Sequence, residues 1–187
     1  QEIETIYTDI AKKIKSEITI PVALKMSYYF SNLAGMVKKL SETNIDGLVL
    51  FNRFFAPDFD IDKFEVIPTN VLSSASDLHL SLRWVSLLSG RTSKDIIAST
   101  GVHNGEALIK QLLAGATAVQ AVSVFYEKGI NQISMMLDEL KTWMEKHNFN
   151  SIDDFRGKMS QAKSEDPAIF ERVQFMKYFS DKTYDID

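Results

Sequence analysis

Residues Ile96–Gly129 read IIASTGVHNGEALIKQLLAGATAVQAVSVFYEKG, and their pattern decides the fold class. The apolar run Asp95–Ser99 (DIIAS) has the length and continuity of a buried strand. Thr100–Gly101 punctuates it. From Asn104 to Ala114, residues Ala107, Leu108, Leu112 and Leu113 recur at helical spacing, and Gly115 supplies a C-terminal cap. A second apolar run, Ala118–Val122 (AVQAV), follows at once. Strand, helix and strand in this order make the crossover unit of a parallel sheet.

The same alternation extends outward. Upstream lie two more apolar runs, Ile20–Met26 (IPVALKM) and Gly47–Phe51 (GLVLF). Helical patterns follow them at Ser31–Leu40 and His79–Leu88. Downstream, Ile130–Met144 carries Ile133, Met136, Leu137, Leu140, Trp143 and Met144, a stripe that reads as core packing. The chain opens on an amphipathic helix with Ile3, Ile6, Ile10 and Ile14 on one face. An α/β domain more often opens on a strand, so this start points to a longer polypeptide. The segment Phe54–Ser76 interrupts the rhythm. Pro57, Pro68 and the alternation around Phe64–Ile67 predict a loop and a small hairpin there. Ser151 and Asp154 form a capping-box pattern, and a short helix is expected after Pro167. With no linker or low-complexity tract, residues 1–187 read as one α/β domain, and residues 148–187 as its C-terminal helical tail.

Composition narrows the function. A net charge of −4 leaves no basic footprint for nucleic acid. The absence of cysteine excludes disulfides, thiolate metal sites and a thiol nucleophile. No apolar run approaches the ~20 residues that span a bilayer, so no membrane is expected and the cytoplasm is the expected compartment. The acidic run Asp58–Asp62 reads as solvated loop, and no metal site is expected.

Ligands of parallel α/β folds bind at the carboxyl ends of the strands. Lys25 lies in an apolar run on the face opposite Val22, Leu24 and Met26. It points an ammonium into a barrel mouth or snorkels to solvent. Asn52 follows a strand; its amide suits the edge of a planar ring, or it forms a loop. Thr100–Gly101 precedes a helix whose N-terminal N–H groups favour an anion, and Ser123 adds a hydroxyl from the next strand end. His103 reads as a polar helix-start residue, and His79 and His147 carry no role. These residues alone describe a parallel α/β domain with a phosphate-bearing ligand.

Four stretches resemble the dihydroorotate dehydrogenase family. They are Pro21–Phe30 (PVALKMSYYF), Asp46–Phe54 (DGLVLFNRF), Ile96–Gly129 and His147–Met159 (HNFNSIDDFRGKM). They occur in the family's order and cover most of residues 20–160. The resemblance implies the C-terminal half, strands five to eight, of a (β/α)8 TIM barrel that holds FMN across its mouth. It also implies oxidation of dihydroorotate to orotate, a step of pyrimidine biosynthesis. On that resemblance Lys25 contacts the flavin ring and stabilises its reduced anion. Asn52 binds substrate, with Phe51 and Arg53 beside the flavin. Thr100, Gly101, Val122 and Ser123 hold the FMN phosphate, and Ser73 and Ser74 lie near it.

The chain departs from the family at several of these positions. Val102 stands in place of the second glycine of a pair, Val122 in place of a glycine, and Arg53 where a small hydroxyl residue is common. The strands that carry the family's Cys or Ser base are absent, so no catalytic residue is assigned. The expected partners are a small ring substrate, the N-terminal half of the barrel and a second copy in a homodimer. The chain is expected to be inactive alone. Two other readings remain: a phosphate-binding barrel enzyme without flavin, and a non-catalytic half-barrel that binds a phosphate ligand or a partner.

Overall fold

The computed structural model describes residues 2–54, 56–69 and 71–170. Helix α1 (Glu2–Glu17) leads into β1 (Ala23–Met26), α2 (Leu33–Ser41) and β2 (Gly47–Leu50). A two-stranded antiparallel hairpin follows, β3 (Pro57–Asp60) and β4 (Glu65–Pro68). Then come α3 (Leu78–Leu88), β5 (Asp95–Ser99), α4 (Gly105–Ala114), β6 (Ala118–Gln120), α5 (Ser123–Lys128) and α6 (Gln132–Lys146).

The main sheet has the order β1-β2-β5-β6, parallel throughout. In register, Lys25 faces Val49, Val49 faces Ile97, and Ile97 faces Ala118. Met26, Leu48, Leu50, Ile96 and Ala98 turn to the other side. There they form the core with Met36, Val37 and Leu40 of α2 and Val85 and Leu88 of α3. Each crossover helix therefore exists because its apolar stripe covers this face.

The sheet curls. Lys25 on one edge strand and Gln120 on the opposite edge strand meet at 3.3 Å, Nζ donating to Oε1. In a flat sheet those strands would stand roughly 14 Å apart, so the Lys25 face is the inside of a trough. The helices are locked to the end of β2 by a buried relay. Gln111 Nε2 donates to Ser81 Oγ, which donates to the Leu50 carbonyl, each over 3.1 Å.

Two expectations need correction, and two further features lie beyond the sequence reading. The first strand starts at Ala23, not Ile20. Pro21 has no N–H to give a ladder, and the Asp46 carboxylate takes the Val22 N–H at 2.7 Å and Lys15 at 3.0 Å. Only part of the α6 stripe is core. Met136 and Leu140 are buried, but Ile133 and Leu137 are 39% and 53% exposed. The isoleucine face of α1 is also open, with Ile3 at 64% and Ile6 at 51%, while Ala11 is the buried contact. Finally, α5 was not foreseen, because six residues are too few to show a helical period.

Downstream, the Ser151 cap forms as expected, with Asp154 accepting the Ser151 and Asn150 N–H groups. Phe155 is fully buried against Trp143 and Phe149. A short 3-10 turn occupies Pro167–Phe170. The expected tail beyond residue 170 lies outside the described residues. No described helix is long and apolar enough to cross a membrane.

Candidate functional site

The carboxyl ends of the four parallel strands frame a cavity of about 260 Å³. Lys25 enters from β1, and Asn52 and Arg53 from the segment after β2. Ser73 comes from the loop after the hairpin, Thr100 and Gly101 from the turn after β5, and Val122 and Ser123 from the junction of β6 and α5. Residues spread over nearly a hundred positions thus share one wall because the parallel sheet gathers strand ends on one side.

Two of the expected residues stand apart. The Phe51 side chain is 2% exposed and packs into the core, so what it offers the strand end is its carbonyl, 3.4 Å from Thr100 Oγ1. Ser74 is engaged in the helix start: its N–H donates to Asp77 Oδ2 at 2.9 Å and its hydroxyl meets Ser76 at 2.7 Å. A second cavity of about 270 Å³ lies alongside, lined by Tyr28, Phe51, Phe54 and Leu80 among others. Asn52, Arg53 and Thr100 belong to both walls.

Arg53 is tied down. Its Nη1 donates to the Val71 carbonyl at 2.8 Å and its Nε lies 3.5 Å from Asp77 Oδ2. It therefore clamps the loop after the hairpin onto the start of α3. At the edge of the second cavity, Tyr28 donates to Tyr29 at 3.0 Å, and this bond is the main reason the Tyr28 phenol titrates above its ordinary value.

The turn after β5 is strained. Thr100 has φ 83° and Gly101 φ 76°, so two successive residues are left-handed and one is β-branched. A Cβ on Gly101 would lie 2.1 Å from the Leu78 amide nitrogen. Glycine is needed here to let the turn rest against the first residue of α3.

Two N–H groups at the N-terminus of α4 are taken by side chains of the protein, which leaves less of it for an anion than the sequence suggests. Glu139 Oε2 accepts the Gly105 N–H at 2.7 Å, and Asn104 Oδ1 accepts the Ala107 N–H at 2.8 Å. The polar groups turned to the cavity are instead hydroxyls. Ser123 Oγ accepts from the Ser73 N–H at 2.8 Å and from Ser73 Oγ at 2.9 Å. Behind them, His103 Nε2 lies 3.4 Å from Ser73 Oγ, and its Nδ1 lies 3.4 Å from Glu127 Oε2. Sequence reading missed His103, Glu127 and Gln120 as members of this region. Glu127 sits on α5, too short to show a helical period, and Gln120 carries no signal beyond its place in an apolar run.

This geometry can be set beside known proteins. The family model described as dihydroorotate dehydrogenase matches residues 1–144. The chain belongs to the dihydroorotate dehydrogenase family. A relative from Thermoplasma acidophilum, the catalytic subunit of dihydroorotate dehydrogenase B (NAD(+)), is 30% identical over 152 residues, covering 80% of this chain and 50% of that protein. A putative dihydroorotate dehydrogenase A (fumarate) from Aeropyrum pernix is 27% identical over 151 residues, covering 79% and 49%. The chain thus spans about half the length of these relatives. A solved dihydroorotate dehydrogenase from Eimeria tenella, in complex with ferulenol, superposes with a TM-score of 0.59 at 22% identity. That match covers 73% of this chain and 38% of the other, and it supports the fold: an α/β architecture with a parallel sheet like that of the dihydroorotate dehydrogenase barrel.

Proposed function

We propose that this chain is the C-terminal half, barrel strands five to eight, of an FMN-dependent oxidoreductase that converts dihydroorotate to orotate. The observation that carries the reading is the shared cavity. Lys25, Asn52, Arg53, Ser73, Thr100, Gly101, Val122 and Ser123 all line it at the carboxyl ends of the strands. The donor set fits a flavin mononucleotide: hydroxyls and turn backbone suit a phosphate, and an ammonium and an amide suit a ring with carbonyl and N–H edges.

FMN, when bound, supplies the hydride acceptor. Lys25, steadied by Gln120, would hold the ring and supply positive charge to its reduced form. Asn52, on the wall between the two cavities, can donate to one edge of a planar substrate and accept from another. Arg53 holds the wall through Val71 and Asp77. No residue of the chain is assigned as the base; the proton acceptor belongs to the N-terminal half.

That half, as a partner, is supported by what the described residues leave uncovered. Strands β1 and β6 each have one edge without a described neighbour. An apolar recess of about 580 Å³ beside β6 is walled by Val119, Val122, Phe125, Ile133 and Leu137. Such surface is seldom left open on a soluble monomer. A homodimer is a second way to cover it.

The test has two arms. The complete protein should be yellow and should reduce a dye when given dihydroorotate. Residues 1–187 alone should run larger than a monomer in light scattering and show no turnover with added FMN. A monomeric, active 1–187 would overturn the half-barrel assignment. A colourless complete protein that still binds inorganic phosphate would favour a barrel enzyme without flavin.

A further inference from the structure

The cluster behind the cavity carries an inference of its own, resting on the reading that this end takes a phosphate. We propose that His103, held by Glu127, is the positioning residue that charges and orients the Ser73–Ser123 hydroxyl pair toward that anion.

An ionised Glu127 only accepts, so a proton on His103 Nδ1 is the arrangement that makes the 3.4 Å contact favourable. Nε2, 3.4 Å from Ser73 Oγ, is then either a bare acceptor or, in the imidazolium, a second donor. With Nε2 bare, the Ser73 hydroxyl can donate to His103 or to Ser123 Oγ, and the relay has no fixed direction. With Nε2 protonated, Nε2–H donates to Ser73 Oγ, and the Ser73 proton must turn to Ser123 Oγ at 2.9 Å. Ser123 Oγ already accepts the Ser73 N–H at 2.8 Å. Both its lone pairs are then filled, and its own proton has one direction left, into the cavity it lines.

Protonating one imidazole therefore presents an aligned donor to the cavity and places a positive charge behind it. Ser73 is 8% and His103 9% exposed, so water screens that charge weakly. Of the other charged groups on the surrounding elements, Asp77 and Glu139 have partners of their own. Asp77 at the start of α3 takes Arg53 and the Ser74 N–H, and Glu139 on α6 takes the Gly105 N–H. Lys25 and Arg53 line the cavity as fixed cations. Glu127 on α5 is the carboxylate that contacts His103.

The experiment uses the complete protein and two probes, FMN and riboflavin, titrated by flavin fluorescence at about pH 5.5 and about pH 8.5, either side of the ordinary imidazole range. The ratio of wild-type to His103→Gln affinity for FMN should fall about tenfold across that span, the size expected for a charge-assisted contact, while the same ratio for riboflavin, which lacks the phosphate, should not change. His103→Gln keeps a donor for Ser73 but cannot titrate, so its FMN profile should lose the difference. Ionisation of the ligand's own phosphate is common to both proteins and cancels in their ratio. Glu127→Gln removes the charge that holds His103 and should shrink the wild-type difference. Thermal melting of each variant separates loss of fold from loss of charge. A His103→Gln protein that is folded and keeps the wild-type pH profile overturns the proposal while leaving the phosphate site standing. A wild-type protein that binds riboflavin as tightly as FMN at both pH values removes the phosphate reading itself, and this proposal with it.

Discussion

Replacing Gly101 by alanine isolates what the turn after β5 does for the fold. The residue has φ 76°, and an added Cβ would stand 2.1 Å from the Leu78 nitrogen and 2.6 Å from its Cα. Both neighbours are backbone at the head of α3, so neither can swing aside as a side chain would. Left-handed backbone costs an L-residue about 1–2 kcal/mol, and forcing backbone apart in a packed region costs about 1–3 kcal/mol more. Alanine recovers about 0.4–1 kcal/mol by restricting the unfolded chain. The net expectation is a loss of about 2–4 kcal/mol, or roughly 5–15 °C in melting temperature. Urea denaturation of the complete protein followed by circular dichroism measures it. Thr100→Gly is the control at the adjacent residue. It relieves a β-branched residue at φ 83° and loses a 3.4 Å contact to the Phe51 carbonyl. Glycine adds ~0.5–1 kcal/mol of chain entropy cost, so the net change should stay within about 1 kcal/mol. A Gly101→Ala protein within about 0.5 kcal/mol of wild type would refute the close approach of the turn to α3. A ligand-binding defect in a Gly101 variant would report on the fold before it reported on a phosphate.

Two more outcomes follow from contacts away from the cavity. Glu139→Ala removes the carboxylate that accepts the Gly105 N–H, and stability should fall by about 1 kcal/mol in denaturant titration, with no matching loss from Glu145→Ala, whose described contact is a 4.0 Å surface pair with Lys141. Asp46 is held below its ordinary 3.8 by the Val22 N–H first and by Lys15 second. A depressed carboxylate contributes stability that is full above its unfolded value and lost as pH falls through the folded one, so the melting-temperature gap between wild type and Asp46→Asn should be open near neutrality and close below about pH 4. A gap unchanged in acid would mean that Asp46 does not anchor the entry to β1.

Apolar runs and helical periods were enough to determine four strand–helix units, the hairpin, the Gly115 cap and the Ser151 capping box. Each depends on the spacing of neighbours in the chain, and local spacing survives in the sequence as written. The resemblance around Lys25, Asn52 and Thr100–Gly101 was legible for the same reason, since it sits at strand ends.

Tertiary structure alone decided what occupied each group once the chain had folded. The N–H groups of α4 look free in sequence, but Glu139, 34 residues away, takes the first of them. Phe51 borders a predicted site and yet packs into the core cluster, although strict alternation from Leu48 and Leu50 would set it on the Lys25 face. His103 reads as a helix-start polar residue until the fold sets Ser73, 30 residues before it, at one nitrogen and Glu127 at the other. Contacts of that kind depend on where the sheet's curl and the crossover helices bring distant backbone together, and no local pattern of residues encodes that distance.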